Sequence, residues 1–196
     1  MRSIEWSSGS WLLPPVRTVQ EPDGGLGVEP GAGSDLWRHT SYGFVHDDAP
    51  ALLAPLPENT AVEVDFRLDY TEQFDQAGVL VWVDDRNWVK AGVEVSDGEP
   101  QVGAVVTREH SDWSVAPVPR WAGREVTVRV SRAGDALTVR ARVAGEPWRL
   151  VRLAPLTPDA TASAGPYCCS PSRGGLTVRF TDWRQGPADE ALHPSQ

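Results

Sequence analysis

Residues 77–107 read AGVLVWVDDRNWVKAGVEVSDGEPQVGAVVT. Three apolar runs are separated by two polar turn signals, and their register can be worked out on paper. Asp97-Gly98 suits a two-residue hairpin turn, because both residue types tolerate the left-handed backbone such a turn needs. Ser96 then pairs with Glu99, Val93 faces Val102, Ala91 faces Ala104 and Val89 faces Val106, which puts every small apolar residue on one face. The other face carries Trp88 beside Thr107, Lys90 beside Val105, Gly92 beside Gly103 and Glu94 beside Gln101. Reading Asp85-Arg86-Asn87 as a three-residue loop sets Val83 opposite Val89 and Val79 opposite Val93. It also adds Trp82, Gln76 and Gly78 to the second face.

The rest of the chain continues this pattern. Thr60–Tyr70 alternates Val62, Val64, Phe66 and Leu68 with Glu63, Asp65, Arg67 and Asp69, the mark of a half-buried strand. Further strands are expected at Gly27–Glu29, Glu125–Ser131, Leu137–Val143, Trp148–Leu153 and Leu176–Trp183. Turn signals stand between them and no crossover helix follows any strand. The expected fold is all-β: a two-sheet antiparallel jelly-roll sandwich over residues 1–185, with a disordered tail at 186–196. Val79, Val81, Val89, Val93, Val102, Ala104, Val128, Val130, Val139, Leu150, Val178 and Phe180 should face its core.

Composition narrows the function. Eighteen basic against 27 acidic residues give a net charge of −9, which repels phosphate backbones and makes nucleic acid a poor partner. No apolar run approaches the ~20 residues that span a bilayer. The first fifteen residues lack the apolar core of a signal peptide. Together with two unpaired cysteines, this reads as a cytoplasmic protein. Those cysteines, Cys168 and Cys169, are adjacent, so on a strand one thiol should face the core and the other outward. The four histidines have no metal-ligand spacing, and no cofactor motif is present.

The second face of residues 77–107 is the best chemical constellation. Nine Trp against three Tyr and four Phe, a single lysine at position 90, and a low floor at Gly92 and Gly103 suit a sugar ring, which has apolar faces and a hydroxyl rim. A plain solvent face with a cross-strand Lys–Glu pair is the alternative. Glu63-Val64-Asp65 resembles the carboxylate strand of retaining β-glucanases but lacks the second Glu, and an exposed polar face explains it as well. Ser111-Asp112-Trp113-Ser114 reads as a loop just past a strand end, either shaping the site or merely covering the sheet.

Five blocks in order resemble a known family: Asp35-x-Trp37-Arg38-x-Thr40-x-Tyr42-Gly43-Phe44; Asp75 to Val81; Trp88-Val89-Lys90-x-Gly92-Val93-Glu94; Thr107 with Ser111 to Ser114; and Gly165-Pro166-Tyr167 through Ser170-Pro171, Gly174-Gly175 and Phe180. On these, residues 4–184 are identified as resembling the regulation-of-enolase protein family, of unknown function, with the concanavalin A-like lectin/glucanase fold. Asp47-Asp48-Ala49-Pro50 departs from the family's Asp-Asn-Gly-His, so no role of that His carries over. The resemblance implies a jelly roll and leaves activity open.

The expectation is a non-catalytic, carbohydrate-binding-like module for a sugar or sugar-like metabolite, a monomer or weak homodimer with no metal and no membrane partner. Gln76, Trp88, Lys90, Glu94, Thr107, Arg38 and Trp113 should converge on one groove, with Trp37 and Tyr42 nearby and Lys90 paired to Glu94 or to a ligand oxygen. The alternatives are a sugar-active enzyme using Glu94 as acid or base with Asp112, and a regulatory domain binding another protein's loop.

Overall fold

The computed structural model describes residues 1–193. Seventeen strands run in the order β1 (Arg2–Ser3), β2 (Ser10–Trp11), β3 (Arg17–Gln20), β4 (Leu26–Glu29), β5 (Leu36–Arg38), β6 (Val45–Asp47), β7 (Leu52–Pro55), β8 (Thr60–Arg67), β9 (Gln76–Asp84), β10 (Asn87–Ser96), β11 (Glu99–Arg108), β12 (His110–Pro117), β13 (Glu125–Ala133), β14 (Ala136–Val143), β15 (Arg149–Pro155), β16 (Ser163–Cys169) and β17 (Val178–Pro187). One sheet has the order β15-β14-β13-β8-β17-β4-β3, with β1 on β17. The other is β12-β11-β10-β9-β16-β7-β2, and β5-β6 forms a separate hairpin. This is the expected two-sheet antiparallel sandwich.

The β10–β11 register is the one the sequence dictates, from Ser96 opposite Glu99 to Trp88 opposite Thr107. Asp97 and Gly98 take φ values of 55° and 85°, as the turn demands. The β9–β10 register is corrected by two residues: Val89 pairs with Val81, Ala91 with Val79 and Glu94 with Gln76. The turn is tighter than expected because Asp84 Oδ1 accepts the Arg86 N–H at 2.9 Å and the Asn87 side-chain amide at 2.8 Å. A carboxylate thereby builds the bend that Asn87 was expected to supply. A slip of two keeps every side chain on its own face.

Between the sheets lies the main core, with Val62, Val64 and Phe66 of β8 and Val126, Val128 and Val130 of β13 against Val79, Val81, Val89, Ala91, Val93, Val102 and Ala104. Leu150 is the exception among the expected inward residues, at 49% exposed. A register shift between Val139 and Arg140 on β14 places Arg140 opposite Leu150 and turns Leu150 outward.

A second, smaller core sits on the far side of the β9–β12 sheet. Leu36 and Trp37 of β5, with Ala49 and Ala51, pack onto Leu80, Trp88, Val105, Tyr167 and Cys169. That sheet is therefore covered on both faces, and both cysteines are buried: Cys168 in the main core and Cys169 in the second. Alternation separates the two thiols as expected, but neither reaches the surface. Burial raises both thiol pKa values.

The outer face of the first sheet is not simply solvated. Arg184 reaches Asp65 at 2.6 Å and Glu63 at 3.1 Å, and Arg129 reaches Glu63 at 2.9 Å and Asp189 at 2.8 Å. The Glu63-Asp65 strand is thus an ion-paired lattice rather than an exposed polar face. Arg129 and Arg140 also bind the residues that follow β17. β17 continues to Pro187, Asp189 is held by Arg129 and Arg140, and the Leu192 carbonyl accepts from Arg140 at 2.6 Å. Residues 194–196 lie outside the described residues.

Candidate functional site

The β5–β6 hairpin builds one wall of a groove over the second sheet. Its loop holds His39, Ser41 and Gly43 at positive φ, a sharp bend that throws Tyr42 and Phe44 outward. Their rings stack at 5.3 Å, and Tyr42 meets Trp37 edge to face at 5.6 Å. Trp37 also meets Trp113 of β12 edge to face at 6.5 Å. Such ring pairs add stability beyond their buried area. Trp113 lies on β12, not in a loop as expected, because Glu109 takes φ 61° and lets Arg108 pair with His110 across a one-residue turn.

The floor comes from β9 and β10. Lys90 Nζ donates to Asp35 Oδ1 at 2.7 Å and to Gln76 Oε1 at 2.8 Å. The partner of Lys90 is therefore Asp35, at the foot of the hairpin, and not Glu94. Burial pulls the ammonium pKa down most strongly, but the Asp35 carboxylate and its hydrogen bond, with Cys169 and Glu94 adding to them, pull it up, and the net shift is upward. Glu94 stands on the same strand face, two positions beyond Gly92. Burial, aided by Asp35 and Asp97, outweighs the opposing pull of Lys90 and the Trp113 indole, and its pKa rises to about 7.

The groove has a volume of about 480 Å³ and is walled by Trp37, Tyr42, Phe44, His46, Phe74 and Trp113. Gln76, Lys90, Glu94 and Asp35 form its polar floor, and Gly33, Pro171 and Ser172 its rim. The rim loop is anchored from behind, where Arg173 pairs with the fully buried Asp75. Phe74 holds φ 65°, a sparsely populated backbone for an aromatic residue of the kind that clusters at ligand sites.

Six expected site residues therefore meet here: Gln76, Lys90, Glu94, Trp113, Trp37 and Tyr42. Three do not line the groove. Trp88 is 3% exposed and belongs to the second core, opposite Trp82. Thr107 shares a 2.9 Å hydrogen bond with Ser111, and the Ser111 hydroxyl in turn accepts the Arg38 backbone N–H at 2.9 Å. Arg38 Nε donates to the Glu109 carbonyl. Thr107 and Arg38 thus clasp the hairpin to the sheet. Asp112 points to the other side of β12 and pairs with Arg152 of β15 at 2.8 Å, so it offers Glu94 no second carboxylate. Gly92 and Gly103 line a pinched recess of about 10 Å³ beside Tyr167, which shares Lys90, Glu94, Val105 and Trp113 with the groove.

Asp35, Phe44, His46 and Phe74 were not among the expected site residues. A lone buried lysine announces a carboxylate partner, which was the available signal for Asp35. The alternation of Tyr42 and Phe44 around Gly43 was the signal for the aromatic hairpin. Among the described residues, no cluster of His, Cys, Asp and Glu could hold a metal ion, and no helix is long and apolar enough to cross a membrane.

The chain is 36% identical over 193 residues to Regulation of enolase protein 1 of Saccharomyces cerevisiae, covering 98% of this chain and 96% of that protein. A solved structure of a functionally unknown protein from Saccharomyces cerevisiae superposes with a TM-score of 0.87 at 35% identity, covering 94% of this chain and 98% of that one. Two more distant likenesses show the fold alone. Xylan beta-1,4-xylosidase from Bacillus halodurans C-125 has a TM-score of 0.71 at 14% identity, covering 94% of this chain and 39% of that one. The alginate lyase from Klebsiella pneumoniae has a TM-score of 0.62 at 10% identity, covering 96% and 98%. With residues 11–188 matching its model, the chain belongs to the family described as protein of unknown function (DUF1349).

Proposed function

We propose that the groove binds a sugar or sugar-like metabolite and leaves it unchanged. The observation that carries this reading is the pairing of aromatic walls, Trp37, Tyr42, Phe44 and Trp113, with a polar floor of Gln76, Lys90, Glu94 and Asp35. A sugar offers C–H faces to the rings and hydroxyls to the floor. The sandwich likeness to a xylosidase and to an alginate lyase supports the same class of ligand. A glycosidase needs two carboxyl groups set across the bond it cleaves. Here Asp35 is committed to Lys90 and Asp112 faces away, which favours binding over hydrolysis.

A near-neutral pKa for Glu94 favours a second reading, a sugar-active enzyme with Glu94 as acid or base. The test is a panel of neutral mono- and disaccharides, read by thermal shift and then calorimetry on the wild type and Trp113→Ala, with turnover followed in parallel. A binding module loses about 1–3 kcal/mol of affinity on removal of the ring and shows no product. Product formation that Glu94→Gln slows by about 10²–10⁴ would establish the enzyme instead. If no sugar binds the wild type at about millimolar concentration, the sugar reading is abandoned.

A further inference from the structure

The groove is poor in free positive charge. Its basic side chains are Lys90 and His46. Lys90 is buried with two of its three protons directed at Asp35 and Gln76. Glu94 is the opposite case: among the described residues it has no cation within ion-pair distance. Tyr167 of β16 lines the recess beside it, and the buried Tyr70 is close enough for the Glu94 charge to be felt. Lys90 precedes it on β10, Gln76 faces it from β9 and Gln101 from β11. Asp35 and His46 stand on the hairpin side, Asp97 in the turn beyond, and Trp113 on β12.

Both flanking amides are engaged elsewhere. The Gln76 amide donates to the Phe74 carbonyl and the Gln101 amide to the Ser96 carbonyl. Glu94 is therefore a half-buried acceptor whose flanking amides donate to other groups, with the Trp113 indole as the neighbouring donor that favours its ionised form. When it is ionised, Asp35, Glu94 and Lys90 sum to one negative charge, on a chain whose own net charge is −9. Exposed aromatic faces such as Tyr42 and Trp113, 59% and 39% exposed, attract an organic cation through the ring quadrupole.

We infer that the ligand of this groove carries an ammonium group seated against Glu94 beside Trp113 and Tyr42: an amino sugar or amino polyol, in preference to a neutral sugar or a sugar phosphate. The inference rests on the sugar-like reading and sharpens it. A phosphate would bring negative charge against Asp35 and Glu94 with Lys90 already paired. An ammonium supplies the counter-ion that Glu94 lacks. Because the carboxyl holds its proton to about pH 7, ammonium binding expels that proton and tightens as pH rises through that value.

The test is calorimetry of the full chain with N-methylglucamine, sorbitol, glucosamine, glucose, glucose 6-phosphate and choline. N-methylglucamine should bind roughly tenfold tighter than sorbitol at about pH 8, with the advantage shrinking at about pH 6. Glu94→Gln should bring N-methylglucamine down to within about twofold of the affinity the same variant shows for sorbitol, and its thermal melt should show it folded. His46→Asn, whatever it does to absolute affinity, should keep the ratio of N-methylglucamine to sorbitol affinity and its change with pH.

Equal affinity for N-methylglucamine and sorbitol, tightest binding of glucose 6-phosphate, or an amine preference that survives Glu94→Gln overturns the inference. Choline binding without any polyol keeps the ammonium and sinks the sugar. Neutral sugars binding as well as amines sinks the ammonium and keeps the sugar. No binding of any probe at about 10 mM sinks both.

Discussion

Lys90 Nζ lies 2.7 Å from Asp35 Oδ1, and this ion pair ties the foot of the aromatic hairpin to the floor of the groove. Asp35→Asn strands a buried ammonium and should cost about 3–5 kcal/mol in a denaturant titration at neutral pH. Adding Lys90→Met to that variant should restore much of the loss, since an apolar residue of similar shape needs no partner there. The Lys90 pKa is raised in the folded state, so its contribution is complete below the ordinary lysine value and lost as pH climbs through the higher folded one. Equal stability of the single and double variants would show that the pair does not hold the hairpin.

Glu94 should lower stability as the solution becomes less acidic. The folded carboxyl keeps its proton to about pH 7, against 4.5 for the ordinary group. Between those values the native state binds more protons than the unfolded one, and stability falls with rising pH. Glu94→Gln removes that slope. It should match the wild type near the acid end of the window and exceed it by about 1–3 kcal/mol above it, on the scale of 1.4 kcal/mol per pKa unit discounted for partial exposure. Urea melts across the window check this. Parallel curves for the two proteins would mean that Glu94 titrates normally.

Two tryptophans on neighbouring strands should behave oppositely. Trp88 is enclosed by the second core, and Trp88→Ala should cost about 3–5 kcal/mol. Trp113 is open to the groove, and Trp113→Ala should leave the fold within about 1 kcal/mol of the wild type. Thermal melts of the two variants separate them. A folded, fully stable Trp88→Ala protein would contradict its place in the core.

Gly78 and Gly92 sit opposite each other where β9 and β10 approach closely. A Cβ built on Gly78 falls 2.0 Å from the Ala91 carbonyl oxygen, so Gly78→Ala must push the two strands apart. A loss of about 2 kcal/mol or more is expected, against less than about 0.5 kcal/mol for Gly31→Ala, where a Cβ meets nothing within 4 Å.

The central hairpin was fully legible because Asp97-Gly98 is a turn with a known geometry and the small apolar residues left one register that buried them together. The β9–β10 turn was legible to within two residues. The bend there is made by the Asp84 side chain, which composition does not reveal. β16 was hidden by Gly165-Pro166, which reads as a strand breaker but sits mid-strand with Pro166 opposite Val79. At the site, sequence pattern assigned residues to the correct sheet face but could not say how that face was divided. The hairpin that buries Trp88 and leaves Trp113 open comes from residues 36–47, some fifty positions earlier, and nothing local to β10 records where it lands. Asp35 was missed for the same reason.

Cys168 and Cys169 are neighbours in the chain that occupy two separate interiors. Each thiol is therefore a clock for a different opening event. Cys168 meets a thiol reagent only when the two sheets part, which is global unfolding. Cys169 meets it whenever the β5–β6 hairpin swings off the sheet, a smaller and more frequent excursion. Single-cysteine variants labelled under native conditions should react at distinct rates, with Cys169 the faster, and a ligand that bridges hairpin and floor should slow Cys169 far more than Cys168. Two sulfurs carried by consecutive residues thus separate breathing of the groove from melting of the sandwich.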